Sequence, residues 1–451
     1  MSVVDAELQE RCQVSPIRPI PKGWDEKTLL DAVGMKKDLI VAGPFGSNLK
    51  VSDYRNEGIP IIRLQNIDYG KFIDKEIKYI SPEKARELAY HSFRAGDLVL
   101  AKLGDPIGKT CKVPDYFKDG IVVADVVRIR VENGWADTKF IMYSLNSVAA
   151  KKQLINGKIG STRPRVNLDQ IRGIRILVPP LNQQRKIAAI LSSVDAAIEQ
   201  TDAIIAQTER MKVGLMKDLF IKGINHKKFK NSPIGRIPLE WEAVKIEDLI
   251  KRKIISEIQD GNHGELHPKE GDFQDEGIPF VTANCLNHGR INFDNAKFLD
   301  SGWLKKLRIG FAKPGDLLLT HKGTIGQTNI LGNEYSIVIL SPQVTYYRIS
   351  DPLSLHPDYL YTAFQSHNFQ DKIKQLSMQS TRAYLSITQQ KSIFIPLPAP
   401  AEQRRISEIN LAIDGKLENE REHKLHLSKI KSGLMQVLLT GRIRVRVDGH
   451  A

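Results

Sequence analysis

The chain has 451 residues, enough for two to four domains, each with its own core. Lysine and arginine outnumber aspartate and glutamate 66 to 52, a formal charge of +14, which favours a polyanionic partner over a neutral small molecule. No apolar run approaches the roughly 18 residues of a membrane-spanning helix. The first residues lack a basic-then-apolar leader, and Cys12, Cys111 and Cys285 are too scattered for a disulfide framework or a cysteine-rich zinc site. A reducing cytoplasm is therefore the expected location, with no membrane partner.

An N-terminal segment (1–22) leads into a first domain expected over 23–180. There Gly43-Pro-Phe-Gly-Ser-Asn-Leu-Lys50 reads as a polar loop, and Gly58-Ile-Pro-Ile-Ile-Arg63 as a strand running into Leu64-Gln65-Asn66. Asp97-Leu-Val-Leu and Val122–Val131 read as buried strands, and Asp137–Ser147 as a short capped helix. Pro179-Pro180 and Gly223 then bracket one long helix over 181–223. Its seam advances by alternating steps of four and three through Ile187, Leu191, Val194, Ile198, Thr201, Ile205, Thr208, Lys212, Leu215 and Leu219, apolar at both ends and polar between.

A basic linker rich in turn formers (224–239) follows, and then the sequence repeats itself. Gly277-Ile-Pro-Phe-Val returns at an offset of 219 from Gly58. Gly315-Asp-Leu returns against Gly96-Asp-Leu, Ser380-Thr-Arg against Ser161-Thr-Arg, Gln403-Arg against Gln184-Arg, and Asp414 against Asp195. The register slips by one residue between Gly96 and Arg130 and recovers, as a loop deletion would make it do. A duplicated domain is the result, its period too long for a solenoid. The second copy is expected over 240–399, with strands at Asp316-Leu-Leu-Leu and Ile337–Ile349 and a short helix at Pro357–Ser366. A second long helix over 400–441 carries Ile406, Ile409, Ile413 and Leu417 at one end, Leu427, Ile430, Leu434 and Leu438 at the other, and charged Glu418–Lys424 between; a tail (442–451) closes the chain.

Each helix spans roughly 60 Å at about 1.5 Å per residue, and the linker reaches at most roughly 55 Å. Compactness then favours an antiparallel coiled coil with one globule at each end, related by a pseudo-twofold near Thr201 and Glu420. The expected class is α+β, two tandem α/β domains separated by two long helices.

A search for catalytic chemistry leaves little. Neither a glycine-rich methyl-donor loop with an Asn/Asp-Pro-Pro-aromatic motif nor a GxxxxGK[ST] phosphate loop is present. Gly104-Asp-Pro-Ile-Gly-Lys-Thr110 lacks the phosphate-loop spacing, and its copy Gly323-Thr-Ile-Gly-Gln-Thr328 lacks the lysine. Asp115 with Asp137 and Lys139 could be forced into a magnesium nuclease pattern, but Asp137 is better spent capping a helix. His263 and His267 have metal-like spacing on a loop without a third ligand. No metal or cofactor is expected in this chain, and it is expected not to be an enzyme.

What remains is polar and basic. Candidate DNA contacts in the first domain are Phe45, Gly46, Ser47, Asn48, Lys50, Arg63, Gln65, Asn66, Lys102, Arg163 and Arg165. In the second they are Gly261, Asn262, His263, Gly264, Thr282, Asn284, His321, Lys322, Arg382 and Tyr384. Asn and Gln can pair bidentately with adenine, Arg and Lys with guanine, and glycine lets backbone approach a groove. Arg163 and Arg382 beside hydroxyls suit phosphate. Ordinary turn chemistry satisfies the same Gly-Ser-Asn and Asp-Gly-Asn loops, so the duplication is what favours the binding reading.

Taken together, the Gly43–Lys50 loop with Gly58–Arg63, the repeated Gly-Asp-Leu strand with Ile-Gly, Pro164-Arg-Val-Asn-Leu168 with Val178-Pro-Pro-Leu-Asn-Gln-Gln-Arg-Lys-Ile187, and Ile395-Pro-Leu-Pro-Ala-Pro-Ala-Glu-Gln-Arg-Arg-Ile406 resemble the specificity subunits of type I restriction–modification enzymes. The resemblance spans essentially the whole chain. Asn182-Gln183 departs from it, since that family more often carries an acidic residue before the glutamine. The resemblance implies two target-recognition domains, each reading half of a split, asymmetric double-stranded DNA site. It implies helices that fix the unread spacer and dock two methyltransferase subunits using S-adenosylmethionine, joined by two restriction subunits using ATP and Mg²⁺. The competing readings are a self-contained nuclease or methyltransferase, and a basic scaffold without sequence preference.

Overall fold

The computed structural model describes residues 20–104, 106–157, 164–262, 266–287, 289–378 and 383–446. It divides into two compact units, Met1–Gln200 with His423–Ala451, and Thr201–Glu422. Both boundaries cut through long helices, so each unit holds one α+β globule and half of each helix.

The first unit has ten short strands: β1 Asp25–Thr28, β2 Ile40–Ala42, β3 Ile59–Ile62, β4 Lys78–Ile80, β5 Ser92–Phe93, β6 Leu98–Ala101, β7 Thr110–Lys112, β8 Gly120–Val122, β9 Val126–Ile129 and β10 Arg175–Val178. One antiparallel sheet has the order β2-β9-β6-β7, and a second, β4-β3-β8-β5, contains one parallel pair, β3 with β8. Helices α1 Leu29–Val33, α2 Pro82–Glu87, α3 Thr138–Leu145, α4 Val148–Asn156 and α5 Leu168–Arg172 join them, before α6 Leu181–Lys222. Asp137 caps α3, its side chain accepting from the Phe140 amide.

In the second unit a hairpin, β11 Phe229–Ser232 with β12 Gly235–Pro238, occupies much of the stretch expected to be linker. Next come β13 Glu242–Lys245, α7 Ile246–Lys251, β14 Ile255–Asp260, β15 Ile278–Val281, and a small hairpin of β16 Leu286–Asn287 with β17 Arg290–Ile291. They are followed by β18 Lys297–Leu299, α8 Trp303–Lys306, β19 Phe311–Ala312, β20 Leu317–Thr320, β21 Thr328–Ile330, β22 Val338–Leu340 and β23 Val344–Ile349. Helices α9 Pro357–Gln365, α10 His367–Ser377 and α11 Ile387–Lys391, strand β24 Phe394–Leu397, and helix α12 Pro400–Leu438 complete the unit and lead back to the first. Its sheets, β14-β23-β20-β21 and β18-β15-β22-β19, repeat the strand order of the first unit.

Two expected strands are corrected. Val122–Val131 and Ile337–Ile349 each split, because the chain leaves one sheet and enters the other within three residues. The Val126 amide donates to Val123 O across the first break and the Val344 amide to Ser341 O across the second. Burial does not tell the two sheets apart, since both halves are buried: all of β8 and β9 in one case, all of β22 and most of β23 in the other.

The Gly-Asp-Leu repeat has a packing cause. Asp97, nearly buried, takes Arg130 in a two-pronged ion pair, Nε to Oδ1 at 2.9 Å and Nη2 to Oδ2 at 2.7 Å. Asp316 takes Arg348 in the same way, at 3.0 and 2.7 Å. The paired carboxylate raises the pKa of each guanidinium, its hydrogen bond being the largest cause, so the charge is firmly held. The Gln-Arg entrance to each long helix is also structural. Buried Gln184 accepts from the Asp137 amide and donates to Pro179 O, while Gln403 accepts from the His356 amide and donates to Ser354 O and Pro398 O. Each thereby ties the helix start to a helix of its own globule. Gln183 accepts from the Trp24 indole and Glu402 from the Trp241 indole, so the amide at Gln183 replaces the carboxylate in that bond.

Within each unit the helix halves pair antiparallel. Ile187 and Leu191 share a core with Leu438 in the first; Leu219 and Met216 share one with Ile406 in the second. Asp195 meets Lys431 at 2.5 Å and Asp414 meets Lys212 at 2.5 Å, the same pair one period apart. Ile413 and Leu417 are buried, and Val194, Ile198, Ile205, Leu215 and Leu434 are half-buried, as a seam requires. Thr201 and Thr208 are buried as its polar middle. Ile430 is a correction. It is 52% exposed, because Lys431 takes the seam position and pairs with Asp195.

Candidate nucleic-acid interface

In the first unit the candidate loops leave the same end of the sheets. The Gly43 amide donates to Val126 O as β2 ends, and the Val123 amide donates to Ile62 O as β3 ends. As β6 ends, the Lys102 amide donates to Asp125 O and the Val166 amide to Lys102 O, and Leu103 bridges Arg165. The segments that carry Gly43, Arg63, Lys102, Asp125 and Arg165 are thus linked by main-chain bonds. Gly43 is needed there because a Cβ would lie 2.1 Å from Val123 O.

The Phe45–Lys50 turn is held by Asn48 N to Phe45 O at 2.8 Å and anchored by buried Leu49. That leaves Gly46, Ser47, Asn48 and Lys50 exposed and Phe45 84% exposed. A phenyl ring so placed on a polar loop contributes nothing to a core. Arg165 is exposed and pairs with Asp125 at 2.9 Å. Lys102 is half-buried beside both; burial lowers its pKa most, Arg165 lowers it further, and Asp125 opposes them. Gln65 is exposed and donates to the Glu76 carboxylate, while half-buried Arg63 donates to Glu76 O.

The second unit builds the same frame with different side chains. The Gly261 amide donates to Val344 O, the Ser341 amide to Val281 O, the His321 amide to Gln343 O and the Leu385 amide to His321 O, and Lys322 bridges Tyr384. Where the first unit carries Lys102, Asp125 and Arg165, the second carries His321, Gln343 and Tyr384. Lys322 and Asn284 are exposed; Asn262, Thr282 and Tyr384 are half-buried. The Asn262 side chain donates to Leu266 O, and Thr282 donates to Asn284.

Three expected contacts are corrected. Asn66 is buried, its oxygen accepting from the Arg63 amide and its nitrogen donating to Ile73 O and Lys75 O, so it shapes the turn. Gly261 is buried, and a Cβ there would lie 2.2 Å from Leu340 O. His321 is buried beneath Tyr384, their ring centroids 5.5 Å apart. Arg163, His263, Gly264 and Arg382 lie outside the described residues. Asp125 and Gln343 were not anticipated; the signal was there, a polar residue closing the short break between two apolar runs.

The residues weighed for metal chemistry are spread out: Asp115 pairs with Lys112, Asp137 caps α3, and His267 packs edge-on to Phe280. Among the described residues, no group of three or more His, Cys, Asp or Glu side chains is placed to hold a metal ion, and no helix is long and apolar enough to cross a membrane.

Comparison with known proteins agrees with this duplicated frame. The family model described as "Type I restriction modification DNA specificity domain" matches twice, over residues 47–210 and 238–427. The chain is 30% identical over 339 residues to the type I restriction enzyme MjaVIII specificity subunit of Methanocaldococcus jannaschii, covering 73% of this chain and 76% of that one. It is 25% identical to the putative MjaX specificity subunit of the same organism, covering 97% and 98%. The fold is similar to the crystal structure of a type I restriction–modification S subunit from M. genitalium, with a TM-score of 0.55 and 14% identity over 95% of this chain and 98% of that one.

Proposed function

The chain belongs to the type I restriction modification DNA specificity family, and from that premise we propose that its two units each read one half of a bipartite, asymmetric DNA target. It is a DNA specificity subunit. The observation that carries the two-half reading is one main-chain frame bearing two chemistries. The first unit carries Asp125 and Arg165 where the repeat has Gln343 and Tyr384, and half-buried Lys102 where it has buried His321, so the two surfaces offer different donors and acceptors to base edges. The exposed Phe45 loop and Lys50 belong to the first surface, Lys322 and Asn284 to the second, with Arg163 and Arg382 proposed as phosphate contacts.

In this reading the chain is a non-catalytic member of a restriction–modification complex acting in the cytoplasm. Two methyltransferase subunits supply S-adenosylmethionine chemistry on adenine, and two restriction subunits supply ATP- and Mg²⁺-dependent cleavage. The paired helices α6 and α12 set the number of unread base pairs between the half-sites. Genome-wide methylation compared with and without the chain, alongside a methyltransferase subunit, should reveal one chain-dependent motif in two separated, unlike blocks. A contiguous motif would overturn the two-half reading. The purified chain with DNA, Mg²⁺ and S-adenosylmethionine should neither cut nor methylate; turnover would overturn the non-catalytic assignment.

A further inference from the structure

Beneath the second unit's surface lies a buried polar network that the first unit lacks. Asp260, His321, Thr345, Tyr347 and Gln390 are all buried. Tyr347 Oη donates to Gln390 Oε1 at 2.5 Å, and Gln390 Nε2 donates to Leu385 O at 3.0 Å and to Thr345 Oγ1 at 3.1 Å. Thr345 Oγ1 donates to Asp260 Oδ1 at 2.7 Å and lies 2.8 Å from His321 Nδ1. A hydroxyl has one proton, and here it goes to the carboxylate; His321 must therefore carry its own proton on Nδ1 and donate it to Thr345. Thr345 and Gln390 are then satisfied at every polar atom.

Aligned through the repeat, Asp260, Thr345, Tyr347 and Gln390 correspond in the first unit to Ala42, Val127, Ile129 and Ile171, the last three buried in its apolar core, and His321 corresponds to half-buried Lys102. The fold thus does not need the network, and burying polar groups costs free energy that an apolar core avoids. What the network does touch is the reading surface. Asp260 precedes Gly261, His321 precedes Lys322 and packs against Tyr384, and Gln390 holds the carbonyl of Leu385, next to Tyr384.

We infer that Thr345 and Gln390 are positioning residues for the second half-site. They hold the three loops of that unit in one mutual geometry, and so contribute to base discrimination without reaching DNA. Thr345 and Gln390, satisfied at every side-chain polar atom, give the network this kind of rigidity, while His321 Nε2 lies 3.7 Å from Asp260 Oδ2. The inference rests on the two-half reading above.

The test uses the full chain with a methyltransferase subunit, reading the methylated motif and the melting temperature. Thr345→Val and Gln390→Ile, the side chains of the first unit, should each lower discrimination in one half-site about tenfold, the scale of a base-pair mismatch. The other half should stay intact, and Thr345→Ser, which restores the hydroxyl, should retain the wild-type motif. Unchanged discrimination in a folded variant, equal loss in both halves, or unfolding of both variants would overturn the inference. A wild-type motif that is not bipartite would instead overturn the underlying reading.

Discussion

At Arg165 and Tyr384 the repeat places a cation and a neutral ring in one position, and the two should behave differently on DNA. Arg165→Ala should relax selection in the first half-site and, because a cation leaves the interface, lower the slope of log affinity against log salt by up to about 0.9. Tyr384→Ala removes no charge and should leave that slope unchanged; a salt titration in which both variants shift it alike would contradict the assignment. Cys111 offers a test of the core. Burial pushes its thiol up from 9.0 to about 12, so in the folded chain it should resist alkylation at pH 8 and react once guanidinium unfolds it, as mass spectrometry would show. The sign of the linked stability follows. Between pH 9 and 12 the unfolded thiol releases its proton while the folded one keeps it, so this group's contribution to stability falls as pH rises. Residues of this kind were only partly legible in the sequence. Phe45 and Lys322 are exposed on their loops as polar, glycine-rich surroundings suggested. Asn66 and His321 looked equally available, yet they are buried; polarity in a sequence does not distinguish a group facing solvent from one satisfying a buried turn.

The helices α6 and α12 were the most legible elements, because a four–three spacing sustained over about ten positions has no other economical reading. Their phase was less so. Ile430 looked the better seam residue than Lys431, but only a partner carboxylate, Asp195, makes a lysine worth placing there. Both Asp–Lys pairs are mostly shielded, with 20–28% of each side chain exposed. Asp195→Lys sets two ammonium groups face to face and should cost roughly 1–3 kcal/mol through the unpaired cation left behind. The exchange Asp195→Lys with Lys431→Asp should recover most of that loss; urea denaturation of the single and double variants checks the pairing. The strands were harder to read. Only Asp125 interrupts the apolar run at Ala124-Asp125, and sheet membership depends on partners far along the chain. The hairpin at Phe229–Pro238 was hidden by its lysines and turn formers, which also suit a linker.

For the whole molecule, the duplication means that each unit is built from both long helices, so a change in their length reaches both. One heptad inserted in each helix at the polar middle should lengthen the unread spacer while leaving both half-sites as they were. An unchanged spacer would refute the measuring role of the helices. The charge of +14 accounts for attraction to a polyanion, but it carries no sequence information. Selectivity has to come from the two unlike loop sets. The most direct measurement is therefore the methylated motif of a chain whose first unit carries the second unit's side chains, Lys102→His, Asp125→Gln and Arg165→Tyr. The two-half account predicts altered or relaxed sequence in one half-site and an untouched second half and spacer. A folded variant that changed both halves, or neither, would contradict it.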